Sequence, residues 1–217
     1  MPNMRRTVGG LRQSRKDTKA FDHRWPRVGL QESSPQNNFR RIIASYVAAG
    51  EFCNHKVNYF SERKSSIPLE FVLAILNSKL ADWYFRLGST NAAVSHYQLH
   101  NLPCPSFAKQ STPADDRMLS QAIAAVRTSK LVDVSNILAP GLNTSPFSPA
   151  VRDTIIEAVK RVMAIESARG DIARTERSAL DSKAQPYQDL IDKLFYRMAG
   201  LSNEEVIGLE ARLMRML

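Results

Sequence analysis

Apolar residues along this chain follow two kinds of pattern, and the change between them predicts its layout. Leu69, Val72, Leu76, Leu80, Trp83 and Leu87 recur at steps of three and four, which on a helix makes one buried stripe. Ser65 and Ser66 stand ahead of Pro68, and Gly88 stands at the far end, so the spacing predicts a single helix over 67–87. Asn77, Lys79, Asp82 and Arg86 mostly take its other side. After Gly88 the pattern loosens into alternation. Val94, Tyr97, Leu99 and Leu102 are apolar there, predicting a short half-buried strand that Pro103 and Pro105 end. Residues 51–60 alternate in the same way. Cys53, His55, Val57 and Tyr59 fall on one face of a predicted strand, with Asn54, Lys56 and Asn58 on the other.

The second half of the chain reads as helix. A stripe of Met118, Leu119, Ala122, Ile123 and Val126 predicts one helix over 115–130, while 131–138 fits a strand and a helical turn equally. The run APGLNTSPFSP at 139–149 reads as a linker and a boundary. Ser148 and Pro149 then open a helix with the stripe Val151, Ile155, Val159, Val162 and Met163. A further helix is predicted to begin at Pro186, carry Tyr187, Leu190, Ile191, Leu194, Phe195 and Met198, and stop at Gly200. Ser202 and Glu205 have capping-box spacing for a last helix with the stripe Val206, Leu209, Leu213 and Leu217. The expected fold is α+β: short strands around a central amphipathic helix, then a helical C-terminal region. Its expected divisions are 1–37, 38–138, 139–149 and 150–217.

Composition adds a partner. The chain has 217 residues, 43% of them hydrophobic, enough for one sizeable core or two small ones. Lys and Arg number 30 against 21 acids, a formal charge of +9 that favours a polyanion. Ten of those cations precede residue 42, against Asp17, Asp22 and Glu32, so 1–37 is expected to be a flexible basic arm. Cys53 and Cys104 are too few for a disulfide framework. No apolar run approaches the roughly 20 residues that span a bilayer. The basic start has no apolar core of a secretory signal, although its lack of acids before Asp17 also fits a transit peptide. The expected setting is cytoplasmic, away from membranes.

Catalytic signatures are missing from the sequence. It holds no Pro-Pro pair, no G-x-G and no phosphate-cradling loop. Asp115, Asp116, Glu204 and Glu205 sit at predicted helix starts, where the macrodipole accounts for them. His96 and His100, read in a strand, would stand about 13 Å apart, so with Cys53, His55 and Cys104 they make no zinc pattern. Trp83 is assigned to the core, whereas Tyr59 and Tyr97 fit core and contact surface equally. What the chain does offer is groups that grip phosphates or read base edges. These are the cations Arg40, Arg41, Lys56, Arg63 and Lys64, and the polar side chains Asn54, Asn58, Ser89, Thr90, Asn91, His96 and Gln98.

The run NSKLADWYFRL at 77–87, followed by Ser89-Thr90-Asn91 and by LPCP at 102–105, resembles the TaqI-like C-terminal specificity domain of adenine-specific DNA methyltransferases, as found in fused type II restriction-modification enzymes. The likeness extends over about residues 38–107 and again over 186–210. It implies a target-recognition domain in which the twelve residues just named contact double-stranded DNA. The family's glycine-rich methyl-donor loop and its Asn/Asp-Pro-Pro-aromatic loop are absent, so the likeness brings the specificity part and not the catalytic one. S-adenosylmethionine would then bind a catalytic domain or subunit elsewhere, and this chain would carry no cofactor. The competing expectation is a non-enzymatic protein-interaction module that docks through its helical tail.

Overall fold

A computed structural model describes residues 19–89, 91–170 and 172–215, without the side chains of Lys19, Ala20, Lys64 and His96. The fold is α+β. Strands β1 (Arg27–Gln31), β2 (Ala44–Val47) and β3 (Val57–Ser61) form an antiparallel sheet in the order β2-β1-β3. Val28 lies opposite Tyr46 and Phe60, and Leu30 opposite Ala44 and Asn58. Val28 and Leu30 are fully buried beneath the helices. Gly29 points the other way. A Cβ there would stand 3.1 Å from methyls of Val47 and Val57, so the absence of a side chain lets those two close over the strand.

Helix α1 (Leu69–Leu76) is the plank between sheet and helices. Leu69, Phe71, Leu73, Ala74 and Leu76 are buried, so it is apolar on more than one face. One side packs on β1 and β2, the other on α7 (Pro149–Ser167). Phe71 meets Phe107 edge-on at 5.2 Å and lies 5.9 Å from Phe195 of α8 (Arg177–Met198). Around α7 and α8 pack α4 (Pro113–Arg127), α5 (Leu131–Ile137) and the short α6 (Ala139–Leu142). One contiguous core runs from Val28 through α1 to Phe195.

Several expectations change. Part of the expected basic arm is the central strand β1; its residues 1–18 lie outside the described structure. The helix expected over 67–87 is two helices, α1 and α2 (Lys79–Gly88), because Ser78 takes the extended conformation and its Oγ accepts from Ala81 N as the cap of α2. The break resets the apolar phase. Ala81, Asp82 and Phe85 are buried on α2, while Leu87 is 59% exposed. The strand expected over 51–60 is confined to Val57–Ser61, since Asn54 Oδ1 accepts from Lys56 N and holds a turn there. The strand expected over 94–102 is α3 (His96–His100), opened by Ser95 Oγ accepting from Gln98 N. His96 and His100 are therefore one helical turn apart, not extended. Residues 131–138 are helical, the stretch 139–149 contains α6 and the buried Leu142 and Ser148, and α8 starts at Arg177 with Pro186 inside it.

The helix ends otherwise follow their residues. Thr112 and Asp115 form a capping box for α4, Ser148 with Pro149 opens α7, and Gly200 (φ +71°) ends α8. Ser202 and Glu205 exchange capping bonds of 2.8 and 3.2 Å ahead of α9 (Asn203–Arg215).

Asp192 of α8 ties the two halves together. Its Oδ1 accepts from Lys79 N at 2.8 Å, at the start of α2, while Oδ2 is buried without a partner. Burial pushes its pKa up to about 6, against the pull of the Lys79 amide and of the Arg40 and Lys79 charges. The folded protein thus holds this proton more tightly than the unfolded chain does. The stability Asp192 contributes is complete below about pH 4 and declines as pH rises to about 6, by ~3 kcal/mol at most. The Asp192→Asn variant is expected to escape that decline. Urea midpoints measured from pH 4 to 8 should show its advantage over wild type growing to pH 6 and then levelling. Parallel curves for the two proteins would refute the assignment.

Candidate nucleic-acid interface

Arginine side chains in the first half of the fold mostly serve irregular backbone. Arg40 donates through Nη1 to the carbonyl of Asn77, just beyond α1. Arg41, only 1% exposed, donates through Nη2 to Ser89 Oγ at 3.0 Å and to the carbonyl of Asn91 at 2.6 Å, with its guanidinium 5.3 Å over the ring of Phe85. Beside it Arg86 of α2 pairs through Nε with Asp82 Oδ2 at 2.7 Å and donates to the carbonyls of Gln36 and Asn38. Asp82 Oδ1 accepts from the amides of Arg41 and Ile42 at 2.6 and 3.3 Å. Burial and the neighbouring Arg86 hold the Arg41 pKa below its usual value, with Asp82 acting in the opposite sense.

Of the twelve residues expected to contact DNA, Arg41, Ser89 and Asn91 are thus brought into direct contact with one another, Arg41 buried and Asn91 exposed. Arg63 lies 3.8 Å from Asp22 and over the ring of Trp25. Lys56 is exposed and pairs with Glu32 at 3.2 Å, a surface pair of small energetic weight. Asn54 is exposed on the turn before β3. The Gln98 amide donates to the Gly88 carbonyl at 2.7 Å and accepts from Ser95 Oγ. Thr90 and the side chains of Lys64 and His96 lie outside the described structure.

Three open clefts remain on this part of the surface. The largest, about 700 Å³, is lined by His55, Asn58, Tyr59, Ser65, Ser66 and His100 among others. It runs along the edge strand β3, whose residues Val57 to Ser61 all line it. Asn58 Nδ2 reaches the Val94 carbonyl only at 3.5 Å, so most of that amide's capacity is left for a ligand. The Tyr59 hydroxyl donates to Asp22 at 3.1 Å, and burial together with that bond raises its pKa. A second cleft of about 420 Å³ lies between α2 and α3, with Tyr84, Leu87, Tyr97 and Asn101 on its walls. Tyr97 is largely exposed and so lies outside the core; Tyr59 is half-buried in the first cleft. The third, about 340 Å³, is lined by Gln36, Asn37, Arg41, Arg86 and Ser89.

Sequence reasoning missed Asp82 and Arg86, placing them on a solvated face. Their i, i+4 spacing on a helix was the available signal. It also missed Ser66, which lines the largest cleft; His100 lines it too, from the helix that stands where a strand was expected. No protein-family model, curated protein or solved structure matches the chain.

The Asp82 carboxylate predicts how its cluster fails. Asp82→Ala strands two backbone amides and the Arg86 guanidinium in a buried setting, and is expected to destabilise the fold by ~3–5 kcal/mol, read as a fall in urea midpoint. A loss under ~1 kcal/mol would show the cluster to be unimportant for stability.

Proposed function

We propose that the chain is the sequence-specificity portion of an adenine-specific DNA methyltransferase or restriction-modification enzyme, acting on double-stranded DNA in the cytoplasm. The observation that carries this reading is the 700 Å³ cleft, where an under-used amide (Asn58), the His55 side chain and the Ser66 hydroxyl meet on the edge of the sheet. Amides that pair with adenine edges and hydroxyls that take either base or phosphate are the groups base readout needs. Lys56 and Arg63 flank the strand at its two ends, and the +9 surplus supplies general attraction to phosphate. The sequence likeness over 38–107 supports the same reading, since those residues include β2, β3, α1, α2 and α3. Methyl transfer and S-adenosylmethionine binding would belong to a catalytic domain or subunit that this one directs.

A second reading has its own observation. Phe39 (71% exposed) and Met214 (70% exposed) line a small cleft with Leu213, and Ile207 also stands out from α9. Apolar side chains at a helical tail suit docking onto another protein, as an interaction module would.

Selection from a random duplex pool at two salt concentrations tests both. The expected result is one enriched short motif, with affinity falling steeply with salt. Asn58→Ala should then relax preference at one position, costing about tenfold against the preferred base. Lys56→Ala should weaken all duplexes alike. Absence of duplex binding at either salt would discard the DNA reading in favour of protein docking.

A further inference from the structure

Arg41 is a buried cation, 1% exposed, with no carboxylate of its own. Asp82 is the carboxylate of its cluster, and its second oxygen is taken by Arg86. The Arg41 guanidinium meets neutral acceptors alone, the Ser89 hydroxyl and the Asn91 carbonyl, together with the Phe85 ring. Its Nε is buried without a hydrogen-bond partner, and Nη1 makes no hydrogen bond with a described residue. Two guanidiniums therefore share one carboxylate, leaving one positive charge almost wholly shielded from solvent. An unpaired buried charge is costly, and a counter-charge is the usual remedy. The same side chains form the wall of the 340 Å³ cleft, whose rim carries the exposed Gln36 and Asn37.

We propose that this cleft is a phosphate-group site, in which a tetrahedral oxyanion completes the charge balance of Arg41 and Arg86 and accepts from the Asn37 amide on its rim. Arginine suits the task, because its planar fork presents parallel donors to two oxygens of one phosphate. Of the five N–H groups on Arg86, three are committed to Asp82, Gln36 and Asn38, and two remain. The site is also held in place before any ligand arrives, since the Arg86 and Arg41 bonds fix the loop carbonyls at 36, 38 and 91. The phosphate is either a diester of a nucleic-acid backbone or a free phosphate or monoester. The first source rests on the DNA reading above; the second does not.

The test uses the full chain and inorganic phosphate as the probe. Thermal unfolding in millimolar potassium phosphate, against potassium chloride at matched ionic strength, should show a saturable rise in Tm. Asn37→Glu places a carboxylate on the rim without touching a buried group. It should keep the wild-type Tm in chloride to within a few degrees and weaken the phosphate response at least tenfold. An equal phosphate response in Asn37→Glu and wild type overturns the site, as does a wild-type response no greater than in chloride. The salt dependence of duplex binding then separates the sources. A slope smaller by about one phosphate contact in the variant (~0.9 in log–log slope) assigns the site to the DNA backbone. An unchanged slope with a lost phosphate response assigns it to a free phosphate or monoester. Wild-type chain that binds phosphate but no duplex keeps the site and discards the DNA reading.

Discussion

The fold depends on a two-residue interruption between α1 and α2. At Asn77 the chain leaves the helix, and the freed amide turns to the edge strand: its Nδ2 donates to the Ala44 carbonyl at 2.9 Å and its Oδ1 accepts from Ala44 N at 3.0 Å. A side chain thereby imitates a neighbouring strand and closes an edge that would otherwise offer unpaired backbone. The Asn77 carbonyl takes Arg40, Ser78 caps α2, and the amide of Lys79 is taken by Asp192 from α8. Three successive residues thus bind β2, α2 and α8 through polar contacts set between apolar surfaces. In such surroundings an unmade bond costs more than a made one gains. The joint is therefore specified as a unit, and the orientation of α2 against the sheet follows from it.

The same interruption explains what could be read in advance. The apolar stripe of α1 is plain in the spacing, and so are the caps at Ser148 and Ser202. The break is hidden because Leu76 and Leu80 happen to be four apart, so the stripe runs across it unbroken in sequence while the helix does not. Periodicity counts residues and cannot tell a helical pair from an accidental one. Ser95 and Gln98 have the spacing of a helix cap for α3, a signal that the reading of 94–102 as a strand does not use. Strand β1 shows the opposite failure. With only Val28 and Leu30 facing the core in a polar, basic stretch, its place is supplied by pairing on both sides, a non-local fact with no local signature.

The candidate site was legible by chemistry and not by arrangement. Arginines, amides and hydroxyls were picked because they suit phosphates and bases. Arg41, Ser89 and Asn91 do meet, yet they meet as partners of one another. Arg40, Arg41 and Arg86 between them hold carbonyls at Asn77, Asn91, Gln36 and Asn38, so in this protein a guanidinium is as much a loop fastener as a surface charge. Residue type cannot separate those uses, because both draw on the same fork of donors.

This double use bears on how the chain would meet a polyanion. The +9 surplus counts every cation equally, but a fastened arginine cannot swing out to follow a phosphate, whereas an exposed Lys56 can. The mobile cations add attraction that falls with salt and is indifferent to sequence. The fastened ones would offer charge at fixed points, reached only by a ligand whose shape fits the cleft between Asn37 and Ser89. Binding by such a surface selects on geometry first, since a charge held in place rewards only the phosphate that arrives at the right position.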